Sequence, residues 1–166
     1  MLNVGDKVPD FSLPLATADG KRDPVSFEAF LKQANGPVVI GFFPMAFTTP
    51  CTQEMCDFRD RQAMFDHVNA KSVGFSVDTP FTSVQFAKEN RLNHGIFSDP
   101  NHQVVDKIWN TQTVAGVEKR AMRGWMLVGR DGNVLEKWVQ EEGKVGQWPG
   151  IDSINAALHK HVPHTH

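Results

Sequence analysis

Residues 37–60, PVVIGFFPMAFTTPCTQEMCDFRD, are the most informative about the fold, because an apolar run passes into an amphipathic segment within them. The first part of this stretch, residues 37–43, is β-branched and aromatic and is typical of a buried strand. From residue 52 to about residue 68, apolar side chains recur on one stripe while charged ones, Glu54 among them, face away, which indicates a helix. Cys51 is therefore predicted to lie where a strand passes into a helix.

Further elements are predicted on both sides of this stretch from hydrophobic periodicity and turn residues. They are, in chain order, an N-terminal hairpin turning at Asp19-Gly20, a short helix from Ser26, a strand at 72–77, a helix from Thr79-Pro80 to Leu92, a short helix around 104–109, a hairpin of strands 124–128 and 134–139 turning at Asp131-Gly132, and a last helix from Asp152 or Ser153 to about Lys160. This order is that of a thioredoxin-like fold. We expect an α/β protein whose mixed central sheet is flanked by helices and preceded by the N-terminal hairpin.

At 166 residues the chain is long enough to bury a core without disulfides or a metal, so we expect one domain over residues 1–166. A charged fraction of 22% is ordinary for a globular protein, and a net charge of -2 argues against nucleic acid as a partner. No apolar run approaches the roughly 18 residues that span a bilayer, and the N-terminus lacks a signal pattern. We expect a cytoplasmic protein that makes no membrane contact.

Histidines are concentrated at the C-terminal end, HKHVPHTH, and such a density could hold a transition metal. A frayed, solvated end is the better interpretation, so we expect a flexible His-rich tail over about residues 160–166 and no bound metal. The histidines of this end are His159, His161, His164 and His166. Elsewhere, the residues predicted to lie in polar or solvated surroundings are His67, His94, His102, Lys119 and Arg120.

The two cysteines, Cys51 and Cys56, are too few for a secreted disulfide framework, and a close pair in a reducing compartment is more often redox-active or metal-binding. A cysteine in the first turn of a helix gains thiolate character from unpaired amides and the positive end of the helix dipole. If Thr49 caps this helix, Pro50 occupies its first position, where a missing N–H costs least. Cys51 is the candidate nucleophile, while Cys56 is a second redox thiol or a small apolar packing residue.

Pro44, Thr48 and Cys51 stand in the order Pro-x-x-x-Thr-x-x-Cys between the predicted strand and helix. In this motif the chain resembles the peroxiredoxin family, most closely the branch that contains bacterioferritin comigratory protein, and it is also similar to the alkyl hydroperoxide reductase E type. The similarity extends to GDKVPDFSLP near the start, to FSDP at 97–100, and to an arginine followed by a strand and an Asp-Gly turn, from Arg123 to Gly132. It therefore covers most of the chain.

The resemblance implies a thiol-dependent peroxidase that needs no cofactor and reduces hydrogen peroxide and organic hydroperoxides. It implies that Thr48 and Arg123 line the peroxide pocket with Cys51, that Pro44 shields the sulfur from water, and that Glu54 orients the arginine. Thr48 can accept a hydrogen bond from the peroxide or donate one, and Arg123 can stabilise the charge that develops on the leaving oxygen. A glutamate in the first turn of a helix can also serve only to complement the helix dipole.

The resemblance further implies that Cys56 traps the Cys51 sulfenic acid as a disulfide, which thioredoxin or a similar thiol then reduces. Five residues of a regular helix separate two Cα atoms by about 7.5 Å of rise and roughly 140° of rotation, or ~8.6 Å in all. Because disulfides seldom span more than about 7 Å, the first turns of the helix must unwind before the bond forms. Members of the family occur as monomers or homodimers, and we expect one of these states.

Pro50 departs from the family pattern, because the residue before the reactive cysteine normally donates its amide to the pocket and proline has none. Three other functions remain open. A disulfide reductase of the same fold would favour Cys-x-x-Cys, a non-catalytic redox sensor would use the same thiols without turnover, and metal binding lacks a recognisable ligand spacing. A one-cysteine peroxidase that depends on an external thiol is the remaining alternative.

Overall fold

The computed structural model describes residues 1–144 and 146–162. The strands are β1 (Ser12–Ala16), β2 (Pro24–Ser26), β3 (Val38–Phe42), β4 (Lys71–Ser76), β5 (Ile96–Ser98), β6 (Thr111–Val114), β7 (Val117–Ala121), β8 (Gly124–Val128) and β9 (Val134–Val139). The helices are α1 (Phe27–Ala34), α2 (Thr49–Asp60), α3 (Gln62–His67), α4 (Pro80–Glu89), α5 (Val105–Ile108) and α6 (Asp152–His161).

Seven strands form one mixed sheet in the order β2-β1-β5-β4-β3-β8-β9. The pairs β3·β4 and β4·β5 are parallel, and the other pairs are antiparallel. Strand β3 is buried at every residue, as its continuous apolar sequence requires in the middle of a covered sheet. The expected mixed sheet, flanking helices and N-terminal hairpin are confirmed.

Two apolar clusters hold the molecule together, one on each face of the sheet. The cluster on one face includes Met55 and Phe58 of α2 together with Cys51. Helix α2 lies close on the sheet because two strand residues are glycines: a Cβ on Gly41 would be 2.7 Å from the Phe58 ring, and one on Gly74 would be 2.9 Å from Met55 Sδ. This contact fixes the helix that carries both cysteines.

The predicted helix over residues 52–68 is wrong in extent. It begins at Thr49, breaks at Arg61, whose φ is −109°, and resumes as α3. Thr48, rather than Thr49, is the N-cap residue, it makes no side-chain cap hydrogen bond, and Pro50 is the second helical residue. The polar connection before Arg123 contains the hairpin β6·β7, which the sequence analysis missed.

Helix α6 begins at Asp152 as predicted and continues to His161. Lys160 and His161, which were expected to belong to a flexible tail, are thus helical, and the side chain of His161 lies 3.2 Å from Glu136 Oε1. His164 and His166 lie outside the described residues. Within residues 1–144 and 146–162, no group of three or more His, Cys, Asp or Glu residues could hold a metal ion, and no helix is long and apolar enough to cross a membrane.

Candidate active site

Cys51 lies in the first turn of α2 and is fully buried. Its Sγ atom is 3.2 Å from Nη2 of Arg123, which is also buried. The two residues meet because β3 pairs with β8 so that Phe42 faces Gly124. This pairing brings the segment before β8 to the end of β3, where the chain turns into α2. The structure therefore joins a thiol to a guanidinium that lies 72 residues away in the sequence.

Glu54 follows Cys51 by one helical turn and binds the same arginine, with Oε1 3.0 Å from Nη1 of Arg123. The Glu54 side chain is 0% exposed and that of Arg123 is 1% exposed. The expectation that Glu54 faces away from the core is therefore wrong. Its charge made an outward orientation the natural prediction, but a buried cation from the segment before β8 holds it inside. One guanidinium thus bridges a thiol and a carboxyl group.

The loop between β3 and α2 adjoins the sulfur, since Thr48 and the Met45 backbone hydrogen-bond with Cys51. Pro44 is buried, while Thr48 is half-buried. The Thr48 hydroxyl donates to the Met45 carbonyl over 2.8 Å, and the Thr48 carbonyl accepts from the Thr52 amide, which begins the helix. Thr48 is therefore brought to Cys51 together with Arg123 and Glu54, and Pro44 lies in the same loop directly before Met45.

The electrostatic surroundings of Cys51 combine opposing effects. Burial raises the pKa of the Cys51 thiol, and ionised Glu54 raises it further. The Arg123 guanidinium, a hydrogen bond with Thr48 and a backbone hydrogen bond with Met45 act in the opposite direction and lower this pKa. Burial also raises the pKa of Glu54 to about 8 against the attraction of Arg123. Two acids therefore compete for one cation, and a protonated Glu54 favours the Cys51 thiolate.

Cys56 lies on the same helix as Cys51, is half-buried and forms no disulfide. Its Sγ lies 3.7 Å from Oδ1 of Asn90, and burial raises the pKa of the Cys56 thiol. Because both cysteines belong to one continuous helix, their Cα atoms are ~8.6 Å apart by helical geometry. The two sulfurs cannot bond in this conformation.

Two predictions of solvated side chains are wrong. His94 is buried, with Nε2 3.5 Å from Met55 Sδ, and burial lowers the pKa of His94 to about 4. Arg120 donates from Nε to the Pro44 carbonyl and from Nη2 to Asp78. Neither Asp78 nor Arg120 was predicted from the sequence as a neighbour of the site. No local pattern marks them, because their partners are 42 and 76 residues away in the chain.

Comparison with known proteins gives the same assignment as the motif. The AhpC/TSA family matches residues 4–137. Peroxiredoxin Bcp of Escherichia coli is 32% identical over 117 residues, which cover 69% of this chain and 70% of that protein. The crystal structure of peroxidoxin BcpB from Mycobacterium tuberculosis superposes with a TM-score of 0.81 at 29% identity, over 97% of this chain and 99% of that one.

A structure of the Xanthomonas campestris bacterioferritin comigratory protein, determined to study alkyl peroxide reduction, superposes with a TM-score of 0.68 at 24% identity. The superposition covers 90% of this chain and 91% of that one, and this similarity concerns the fold alone. The thioredoxin-like fold expected from the order of elements is thereby confirmed. By family match, sequence identity and fold together, this chain belongs to the AhpC/TSA family as a peroxiredoxin and is a peroxidase enzyme.

Proposed function

We propose that the peroxidase reaction takes place at Cys51. The thiolate attacks one oxygen of a hydroperoxide ROOH, the O–O bond breaks as the S–O bond forms, and the alkoxide or hydroxide that leaves takes up a proton to become ROH. The cysteine is oxidised to the sulfenic acid and the peroxide is reduced. The chemistry needs only thiols, so we expect no cofactor.

The observation that carries this proposal is the buried contact of 3.2 Å between Cys51 Sγ and Arg123 Nη2 in the first turn of α2. The guanidinium stabilises the thiolate and the charge that develops on the leaving oxygen. Thr48 positions the peroxide through its hydroxyl group, and Pro44 excludes bulk water from the sulfur. Glu54 holds Arg123 in place through the contact at Nη1, which leaves Nη2 directed at the sulfur.

Resolution of the sulfenic acid is assigned to Cys56, the second of the chain's two thiols. The Cys56 sulfur displaces hydroxide from the oxidised Cys51, an S–S bond forms, and water is released. This step follows local unwinding of α2 between the two cysteines. A dithiol such as that of thioredoxin then reduces the disulfide by thiol exchange and returns both cysteines to their free form.

Hydrogen peroxide and organic hydroperoxides are the proposed substrates, and the alkyl peroxide reduction studied in the Xanthomonas campestris relative supports the second class. We further propose that the enzyme is a single domain that acts in the cytoplasm as a monomer or homodimer. The low count of cysteines and their close spacing support the cytoplasmic assignment.

A one-cysteine peroxidase is the second candidate, and one observation favours it. Cys56 contacts Asn90, the residue that caps the end of α4, and is too far from Cys51 in the folded helix. In that case an external thiol would attack the Cys51 sulfenic acid directly. A redox sensor would share the first oxidation step and differ by the absence of turnover.

Peroxide consumption by the full-length protein, supplied in turn with thioredoxin and with dithiothreitol as reductants, separates these possibilities. We expect turnover with both reductants in the wild type, no turnover in Cys51→Ser, and in Cys56→Ser the loss of turnover with thioredoxin. Full activity of Cys56→Ser with thioredoxin would establish the one-cysteine enzyme. Oxidation of the wild type at Cys51 without turnover would establish the sensor.

A further inference from the structure

Two consecutive peptide units in the loop before Cys51 are held by side chains from other parts of the chain. In the first unit, the Pro44 carbonyl accepts from Nε of Arg120 over 2.9 Å. In the second unit, the Ala46 amide donates to Oδ2 of Asp78 over 2.9 Å, and the Met45 carbonyl accepts from the Thr48 hydroxyl over 2.8 Å. Each unit is thus bound by Arg120 or Asp78 on one side.

The opposite ends of these units face the reactive side chains. A trans peptide directs its C=O and N–H in opposite directions, so the bond from Arg120 to the Pro44 carbonyl fixes the direction of the Met45 N–H. A backbone hydrogen bond with Met45 lowers the pKa of Cys51, and the backbone donor of Met45 is this N–H. The other unit presents its carbonyl to Thr48.

Arg120 and Asp78 are joined to each other as well as to the loop. Nη2 of Arg120 lies 2.5 Å from Oδ1 of Asp78, and their side chains are only 13% and 11% exposed. Ser76 adds a bond from its hydroxyl to Oδ2 of Asp78 over 3.1 Å. We call this pair of side chains the loop clasp. It connects β7, the end of β4 and the loop before α2, three segments that are distant in sequence.

We propose that the loop clasp positions the catalytic loop: Arg120 directs the Met45 N–H at the Cys51 sulfur, and Asp78 fixes the carbonyl that holds Thr48. The inference rests on the proposed role of Cys51 as the peroxide-reactive thiol. Arg120 and Asp78 do not touch the sulfur, so they act through the backbone. Their opposite charges largely cancel at the distance of Cys51, and the orientation of the peptides is what they contribute.

Pro50 explains why this contribution matters in this chain. The first turn of an α-helix offers unpaired N–H groups to a thiolate, and Pro50 removes one of them directly before Cys51. An N–H delivered from the loop supplies a donor that the helix lacks. A donor fixed in advance also stabilises developing charge without reorganisation during the reaction.

The test compares Arg120→Met, Arg120→Lys, Asp78→Asn and the double variant Arg120→Met with Asp78→Asn, each with Cys56→Ser so that only Cys51 reacts. Lys119→Met is the matched control, because Lys119 lies on the same strand, carries the same charge and is exposed. Two quantities are measured by stopped flow: the second-order rate constant with hydrogen peroxide, and the pH dependence of iodoacetamide alkylation. Circular dichroism establishes that each variant is folded.

We expect Arg120→Met to lower the peroxide rate constant about tenfold, less than the loss of a donor that touches the reacting atoms, and to move the alkylation profile to higher pH. The rate constant of Arg120→Lys should fall nearly as far, because an ammonium group keeps the charge but lacks the planar fork that binds Pro44 and Asp78 together. The rate constant of the double variant should fall by less than the product of the two single losses, since the effects of residues in one network are not additive. Lys119→Met should equal the parent protein.

The positioning role would be overturned if the parent protein reacts rapidly and Arg120→Met has the same rate constant and the same alkylation profile as the parent. That result would leave the proposed function intact. Full rescue by Arg120→Lys would also overturn the positioning role, because charge alone would then suffice. If Arg120→Met does not fold, Asp78→Asn decides the matter through hydrogen exchange at the Ala46 amide, which should become faster. A parent protein that reacts no faster than a free thiol would instead contradict the proposed function itself.

Discussion

At the scale of single residues, the site is an arrangement of one buried cation and two buried acids. Arg123 contacts Cys51 through Nη2 and Glu54 through Nη1, and all three side chains are withdrawn from solvent. A guanidinium can do this because its planar fork presents separate N–H groups to separate partners. The same charge cannot fully stabilise both anions. Arg123 therefore stabilises the Cys51 thiolate more strongly when Glu54 is protonated.

Replacing Arg123 by lysine tests the fork directly. Lysine keeps the positive charge but offers a single ammonium group, so it cannot contact Cys51 and Glu54 in the same geometry. We expect the rate constant of Cys51 with hydrogen peroxide to fall about 100-fold, in line with the loss of a donor to developing charge. Arg130→Lys, at an exposed position after β8, is the control and should react as the wild type does. A loss of less than about twofold in Arg123→Lys would contradict this role.

Replacing Glu54 by glutamine tests the competition for the cation. Burial raises the pKa of Glu54 from 4.5 to about 8, so between these values the folded protein binds a proton that the unfolded chain has released. The contribution of Glu54 to stability therefore falls as the pH rises through this range. Urea unfolding should show a shallower loss of stability from about pH 5 to about pH 8 in Glu54→Gln than in the wild type.

The same substitution should lower the pKa of Cys51, because ionised Glu54 raises it. Alkylation by iodoacetamide at a series of pH values measures this shift. Glu118→Gln, at an exposed position, is the control for both experiments. Identical pH profiles of unfolding and of alkylation in Glu54→Gln and the wild type would show that Glu54 does not compete for the cation.

At the scale of elements, the proposed disulfide requires α2 to open at one end while its other end stays fixed. The last turn of α2 packs on Gly41 of β3 through Phe58, and Arg59 donates to the Asn90 carbonyl over 2.6 Å. The first turns are held by the contacts of Cys51 and Glu54 with Arg123. Unwinding should therefore remain local, between the two cysteines.

Hydrogen exchange measures this local opening. After oxidation by one equivalent of hydrogen peroxide, we expect the amides of residues 52–57 to exchange faster while those of β3 keep their protection. Trp148 offers a second signal, since its indole donates to Asp57 over 2.8 Å and its fluorescence should change when this part of α2 opens. Cys56→Ser treated in the same way should show neither change. Unchanged protection of residues 52–57 in the disulfide form would contradict the unwinding.

The elements also show how far local sequence determines this structure. Residues 37–43 and 124–128 are predicted as strands because they form continuous apolar runs. Thr48 and Cys51 were found from the sequence because they belong to one motif within a short segment. The orientation of Glu54 and the loop clasp depend instead on Arg123, Arg120 and Asp78, whose positions follow from strand pairing. The sequence around a charged side chain does not indicate whether a distant segment supplies a buried partner for it. The break at Arg61 likewise interrupts a continuous helical pattern.

At the scale of the whole molecule, the fold needs no disulfide, because an apolar cluster covers each face of the sheet. The disulfide between Cys51 and Cys56 would close a loop of only six residues, which stabilises by about 2 kcal/mol through loss of chain entropy. Its formation would separate Cys51 from Arg123 and open the first turns of α2, and depriving a buried charge of its partner costs about 3–5 kcal/mol.

We therefore expect the oxidised protein to unfold at a lower temperature than the reduced protein, although it contains a cross-link. Calorimetry of the two forms at the same concentration measures the difference, and Cys51→Ser, treated with peroxide, is the control that should not shift. A disulfide form with a higher Tm than the reduced form would mean that the bond forms without disrupting the site.

Oxidation of Cys51 and its resolution by Cys56 are tested together by the mass of the intact protein. One equivalent of hydrogen peroxide is added to the reduced form, and samples are taken from milliseconds onward. We expect a product lighter by two hydrogen atoms in the earliest samples, absent from Cys51→Ser, and replaced in Cys56→Ser by a product heavier by one oxygen atom. A stable gain of one oxygen in the wild type would contradict resolution by Cys56. Oxidation no faster than that of a free thiol, or oxidation that persists in Cys51→Ser, would contradict the assignment of Cys51 as the peroxide-reactive residue.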